Sequence, residues 1–147
     1  MSGRCFLHPA AVLALLALTA WEDGRSHTIP NRYPAMLLLV GVLSSGPIFV
    51  QRFLTGGILF FLLLFLVMLL EAVTKSPSMG GGDIKLYSAL GAALPLEDFL
   101  LTALLSQLLA AGWLLYFAIK GQRDRLVPLG PFVLSAYFII LWKGVLL

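Results

Sequence analysis

The sequence is poor in charged residues and in the residues that most often build metal sites and disulfides. Only 12% of its 147 residues are charged, whereas soluble domains average about 25%. A single cysteine, Cys5, cannot form an intramolecular disulfide or a cysteine-based zinc cluster. The two histidines, His8 and His27, lie at opposite ends of the first apolar segment, and no H-E-x-x-H pattern occurs. The sequence therefore predicts neither a metal site nor a cofactor.

Apolar residues are correspondingly abundant. They make up 60% of the chain, and the mean hydropathy is +0.97. A soluble fold of this length could not remove that much apolar surface from water, but a lipid bilayer covers it. The net charge of +3 comes from basic residues in short loops, a pattern that favours membrane orientation over nucleic-acid binding. The length allows one domain, spanning residues 1–147.

Six segments approach the roughly 20 apolar residues that a membrane-spanning helix needs. They cover approximately Cys5–Trp21, Tyr33–Val50, Phe53–Thr74, Ile84–Leu96, Phe99–Ile119 and Val127–Leu147. The pattern predicts an all-α integral membrane protein with about six transmembrane helices, of which the fourth is short and preceded by glycines. Because the fourth is too short to cross about 30 Å of hydrocarbon, we expect it to begin at the membrane edge, shielded by its neighbours.

The basic residues predict an orientation for these helices. The loops after the first, third and fifth segments carry seven of them: Arg25, Arg32, Lys75, Lys85, Lys120, Arg123 and Arg125. The opposite side carries three: Arg4, Arg52 and Lys143. The richer side is expected to be cytoplasmic. The first segment is expected to remain uncleaved, because Leu18 occupies a position where a signal-peptide cut after Ala20 requires a small residue.

Two polar stretches interrupt the apolar background, one after the first segment and one after the third. The first includes Asp23, and the second, Gly80–Gly82, is followed by Asp83. An even number of crossings separates them, so both aspartates are expected at the same membrane face. Two neighbouring carboxyl groups can share one proton and act as general acid and general base in hydrolysis. Taken alone, either stretch is also compatible with a solvated loop or a helix cap.

The two stretches together resemble the type IV prepilin peptidases, membrane aspartic peptidases with a GxGD signature. Residues 80–85 match that family's Gly-x-Gly-Asp-x-Lys, and residues 23–31 match its Asp-x-Arg-x-x-x-Ile-Pro-Asn, both without gaps. The Pro-Leu-Gly-Pro-Phe at 128–132 is similar to the start of the family's last helix. The resemblance extends over nearly the whole chain, and the two blocks in this order are far more specific than a lone GxGD.

The resemblance implies an aspartic endopeptidase of a bacterial inner membrane, with its site on the cytoplasmic side. Asp23 and Asp83 would be the catalytic pair, and the substrates would be prepilin-like membrane proteins with a short basic leader before a hydrophobic helix. The residues expected to shape the site or bind substrate are Gly80, Gly81, Gly82, Lys85, Arg25, Pro30 and Asn31. No covalent intermediate, metal or cofactor is implied.

One departure from the family concerns its larger members, which carry paired cysteines that bind zinc in an extra N-terminal region and methylate the new N-terminus. Here the first segment starts almost at Met1, and Cys5 has no partner. The chain is similar to the short, peptidase-only members, such as those of tight-adherence pilus systems. We therefore expect an unmethylated product.

Other interpretations remain open from the residues alone. Arg25 and Lys85 either favour the ionised form of the aspartates or hold lipid headgroups, or they are ordinary positive-inside residues whose side chains snorkel to the membrane surface. His27 and Glu71 either belong to the site or are simply solvated. A small transporter subunit would share the intramembrane acids and the short helix after glycines, but no inverted repeat is evident. An inert assembly factor of a pilus or secretion system would not need an intact aspartate pair.

Overall fold

A computed structural model describes residues 7–74, 80–120 and 128–146 of the chain. Within these ranges the protein is all-helical, which confirms the predicted fold class. Its six α-helices are α1 (Leu7–Ser26), α2 (Arg32–Leu43), α3 (Phe49–Thr74), α4 (Gly81–Ala93), α5 (Leu96–Ile119) and α6 (Leu129–Leu146). A short 3₁₀ helix, Gly46–Ile48, lies between α2 and α3.

Several predicted boundaries were wrong, and the two largest errors are at the C-terminal ends of α1 and α2. The helix α1 continues beyond Trp21 to Ser26, so the first polar stretch begins on a helix rather than in a loop. The helix α2 ends at Leu43 instead of Val50. It stops there because serine side chains at 44 and 45 bond back to the carbonyl of Gly41, and Pro47 disfavours helical geometry at the preceding residue.

Several positions used in the predictions lie outside the described residues. They include the expected starts of the first and last segments, and the residues Arg4, Cys5, Lys75, Arg123 and Arg125. The side chain of Glu71 also lies outside them, so its predicted alternatives are not resolved.

Among the described residues, two helices have the length and composition needed to cross a membrane, within Val50–Leu69 of α3 and Leu96–Phe117 of α5. Apolar helices of 10–17 residues occur at Arg32–Leu43 and Leu129–Lys143. Large apolar side chains cover the exterior of the long helices, as on α3, where Phe61 is 70% exposed. Water does not tolerate such a continuous apolar exterior, whereas lipid chains do. The protein is therefore a membrane protein.

The short helix α4 occupies the interior of the protein. It has 13 residues, about 20 Å of helix, and all its residues from Leu86 to Ala93 are buried. The helices α2, α3 and α5 pack around it, which confirms that its neighbours shield it. Its last carbonyls need partners, and Arg52 supplies one by donating from Nη1 to the oxygen of Ala93 at 3.1 Å. Arg52 was expected in an outer loop and instead belongs to α3.

Glycines let the neighbouring backbones approach α4 closely. A methyl group added at Gly41 of α2 would lie 2.5 Å from the Cα of Ala93. One added at Gly56 of α3 would lie 2.8 Å from the Cβ of Ala92 and 3.0 Å from the oxygen of Ser88. The hydrophobic effect does not drive helices together inside lipid. Small residues at such crossings instead allow the close van der Waals packing that holds the helices together.

Neighbouring glycines on α3 provide a matched test of this packing. We expect Gly56→Ala to destabilise the protein by about 1–3 kcal/mol, since the new methyl group meets α4. Gly57→Ala should be neutral or slightly stabilising, because nothing lies within 4 Å of its added methyl group and alanine favours helix. Thermal unfolding of both variants in detergent measures the difference. Equal losses at the two positions would contradict the close packing of α3 on α4.

Candidate active site

The first aspartate of the predicted pair lies on the last turns of α1, at a buried helix crossing. Asp23 is only 4% exposed, and its Oδ2 accepts a hydrogen bond from the backbone N–H of Gly130 at 2.7 Å. Gly130 belongs to the first turn of α6, where N–H groups lack helical partners and the helix dipole is positive. This end of α6 therefore presents its positive partial charge to the carboxyl group of Asp23.

Sequence reasoning missed the role of Gly130. A methyl group at this position would lie 3.0 Å from the Cα of Ala20 and 3.1 Å from both the Cβ and the Oδ2 of Asp23. A side chain here would have to push Ala20 or Asp23 aside by a few tenths of an ångström, so glycine best suits the close approach of α6 to the carboxyl group. The one signal in the sequence was a glycine between two prolines at the head of a helix, which resembled a simple helix start.

The second aspartate lies in the first turn of α4. The backbone N–H of Asp83 donates to the oxygen of Gly80 at 3.0 Å, and Gly80, the N-cap residue, has an extended backbone. Its absent side chain leaves room for the Asp83 carboxyl group, since an added methyl group would lie 3.1 Å from Oδ2 of Asp83. Asp83 is half-buried and precedes the apolar part of α4, which begins at Ile84.

The environment of Asp83 favours its protonated form. Burial raises the pKa of the carboxyl group to about 6, and the negative charge of Asp23 adds to the rise, while a backbone hydrogen bond from Gly80 opposes it. The charge of Asp23 acts on Asp83 only because the fold brings residues 60 positions apart in the sequence near one another. Asp23 thus faces a helix N-terminus, and Asp83 has a raised pKa.

Direct contacts join the two polar stretches to each other. A methyl group at Gly82 would lie 3.0 Å from the Cβ of Ile29, so the start of α4 packs directly on the loop after α1. Nearby, Nζ of Lys85 donates to Oδ1 of Asn31 at 2.9 Å. Pro30 begins the turn into α2, where its oxygen accepts from the N–H of Tyr33 at 3.2 Å. Lys85 and Asn31 therefore connect the segments that carry the aspartates.

Within the part of the chain that the structure describes, two other predicted residues, Gly81 and Arg25, make no contact of this kind. Gly81 is exposed at the start of α4, with nothing within 4 Å of an added methyl group. Arg25 is exposed, and its guanidinium lies over the ring of Trp21 at 5.6 Å. The structure does not bring the Arg25 side chain to Asp23.

An ion pair beside Asp23 was not predicted. Nη2 of Arg32 donates to both carboxylate oxygens of Glu22 at 2.9 Å, and the hydroxyl of Tyr33 donates to Oε2 at 2.5 Å. The Tyr33 hydrogen bond and then Arg32 hold the pKa of Glu22 below its ordinary value. These bonds fasten the end of α1 to the start of α2, and no spacing rule would have indicated them.

His27 ends α1 through its backbone. It has a left-handed φ of 51°, and its N–H donates to the oxygen of Asp23 at 2.9 Å, as in a helix C-cap of the left-handed type. Its side chain is exposed. Among the described residues, no group of three or more histidine, cysteine, aspartate or glutamate side chains could hold a metal ion.

Comparison of the sequence with known proteins identifies its family. The family model of the type IV leader peptidase family matches residues 10–115, a range that includes both aspartates. The chain is also 28% identical over 125 residues to a prepilin leader peptidase/N-methyltransferase of Vibrio cholerae. That match covers 82% of this chain and 49% of the relative, so the chain spans about half the length of the curated relative it matches. No solved structure matches. Because the family model covers most of the sequence, the chain belongs to the type IV leader peptidase family.

Proposed function

We propose that this protein is a membrane aspartic endopeptidase that removes the leader peptide from prepilin-like precursors, with Asp23 and Asp83 as its catalytic pair. The observation that carries the proposal is the pairing itself: the charge of Asp23 contributes to raising the pKa of Asp83. The family match supports the peptidase reaction, and the name of the Vibrio cholerae relative supports the substrate class.

The proposed reaction is direct attack by water. Asp23, as the carboxylate, removes a proton from a water molecule while the water oxygen bonds to the carbonyl carbon of the scissile peptide. Protonated Asp83 donates its proton as the carbon–nitrogen bond breaks, so the leader departs with a carboxyl end and the product with an amino end. The proton now on Asp23 returns the pair to its starting state when it is passed to Asp83.

The two surroundings support this division of roles. The Oδ2 of Asp23 accepts a hydrogen bond from the N–H of Gly130, which orients the carboxyl group and leaves Oδ1 for the water molecule. Asp83 has the raised pKa that a general acid needs. Since the two groups interact, the pair titrates as one unit with two apparent pKa values.

The proposal includes a location. We place the protein in a bacterial inner membrane as a multi-pass protein, with the aspartate pair at the cytoplasmic face, because the basic residues concentrate on that side of the sequence. Residues 1–147 would act as one catalytic unit. An unmethylated product stays a prediction.

Conservative substitution of either aspartate tests the pair. We expect Asp23→Asn and Asp83→Asn to reduce cleavage at least about a hundredfold, because asparagine cannot transfer the proton that hydrolysis needs. The double variant should be little worse than either single one, since the residues act as a unit. Cleavage is measured by co-expression with a candidate prepilin and N-terminal sequencing of the product.

Asp98→Asn is the matched control for that experiment. Asp98 lies in the first turn of α5, at the opposite end of α4 from Asp83, and its substitution should leave cleavage intact. A membrane-inserted Asp23→Asn or Asp83→Asn variant that cleaves at the parental rate would remove that residue from the mechanism.

The raised pKa of Asp83 predicts the alkaline side of the pH profile. Below pH 6 the group is protonated and can act as the acid; above about 6 it ionises. We therefore expect kcat/KM to fall with rising pH above about 6, approaching roughly tenfold per pH unit. Asp98→Asn should show the same profile. A kcat/KM that stays flat between pH 6 and 8 would show that Asp83 is not the acid.

The hydrogen bond from Gly130 to Asp23 predicts that cleavage depends on the position of the α6 backbone. We expect Gly130→Ala to lower kcat roughly tenfold to a hundredfold, because its methyl group displaces Asp23 from its hydrogen bond. Gly112→Ala is the control, since nothing lies within 4 Å of a methyl group at this exposed site on α5. The measurement is kcat for both purified variants. Equal values would show that the close approach of Gly130 to Asp23 has no role in cleavage.

A further inference from the structure

A polar side chain on α5 is exposed where the surroundings are lipid. Gln107 lies about midway along the Leu96–Phe117 segment, and it is exposed between Leu104 and Leu108, which are 63% and 69% exposed. Polar groups in the apolar part of a bilayer are costly, and they commonly mark a helix contact or a functional pathway.

Only part of the Gln107 amide is satisfied. Its Nε2 donates to the hydroxyl of Tyr87 at 3.2 Å, and the same hydroxyl shares a hydrogen bond with Oγ of Ser106 at 2.8 Å. Within residues 7–74, 80–120 and 128–146, the carbonyl oxygen of Gln107 has no hydrogen-bond partner. The exposed Gln107 thus has an acceptor without a partner among these residues, in a medium that offers no donors.

This acceptor is connected to the candidate active site. Tyr87 lies four residues after Asp83 on α4, one helical turn and about 6 Å deeper along the axis. Tyr87 is buried, so it bridges the interior, beneath Asp83, to Gln107 on the lipid-facing surface. Gln107 therefore bonds to a residue that lies one helical turn below Asp83 in depth.

We propose that Gln107 is a docking point for the transmembrane helix of the substrate, which approaches from the lipid beside α5. This inference rests on the proposed function. The helix would carry a side chain that donates a hydrogen bond to the Gln107 carbonyl oxygen. Given the depth of Tyr87 below Asp83, the donor would lie about four to eight residues after the bond that is cut.

Kinetics separate docking from simple support of Tyr87. Gln107→Leu keeps the size and apolar fit of the side chain but removes the acceptor, so we expect KM for the prepilin cleaved in the co-expression assay to rise about three- to tenfold with little change in kcat. Ser106→Ala is the matched control. It removes the other partner of Tyr87 but is fully buried, so KM should stay within about twofold. Equal effects of the two substitutions, or a lowered kcat in both, would overturn docking.

Cross-linking identifies the occupant directly. The background is Cys5→Ser with Asp83→Asn, so that the precursor stays uncut. Gln107→Cys should form a disulfide with precursors carrying one cysteine four to eight residues after the cut site, upon oxidation with copper phenanthroline. Phe61→Cys, on the lipid-facing surface of α3, should not. A disulfide between two copies of the enzyme, or none at all, would overturn the inference.

The two experiments distinguish the inference from the function on which it rests. If the parent cleaves the prepilin and Gln107→Leu has an unchanged KM, the docking inference is wrong and the proposed function stands. If the parent does not cleave, the proposed function is wrong, and the cross-link alone decides whether Gln107 receives a membrane helix.

Discussion

The close fit of α4 among its neighbours is the constraint on which the rest of the structure depends. A helix of about 20 Å cannot cross a bilayer alone, so other helices must cover it and satisfy its ends. Gly41 and Gly56 allow that cover to be backbone against backbone, and Arg52 supplies a donor for the carbonyl of Ala93. With that end fixed, the opposite end of α4 holds Asp83 at a defined place.

Each aspartate lies close to the N-terminus of a helix, but the two aspartates relate to those helices differently. At Asp23 the N-terminus of another helix, α6, donates through Gly130, while Asp83 stands in the first turn of its own helix and is raised in pKa chiefly by burial. Two chemically identical side chains, Asp23 and Asp83, therefore lie in different environments. Such a difference is the usual condition for acid–base catalysis by two carboxyl groups. The Lys85–Asn31 hydrogen bond couples the segments that carry them.

Sequence patterns predicted the parts of this structure that depend on local composition. Long apolar runs indicated α3 and α5, and two short motifs pointed to Asp23 and Asp83 as the candidate pair. Patterns failed where distant chain segments decide the outcome: the helical state of Glu22 and Asp23, the partner of Arg52, and the donor at Gly130 all depend on contacts between helices. Gln107 was visible as a polar residue in an apolar run, but its exposure required the fold.

The two-residue connection between α4 and α5 has a consequence for how the protein enters the membrane during synthesis. The helix α4 is too short and too rich in glycine and alanine to leave an aqueous translocation channel on its own. Joined by Leu94 and Pro95 to the strongly apolar α5, it can partition as one half of a helical hairpin. We therefore expect Asp83 to reach its final depth only after the ribosome has completed α5, so the two aspartates would come together late in biogenesis.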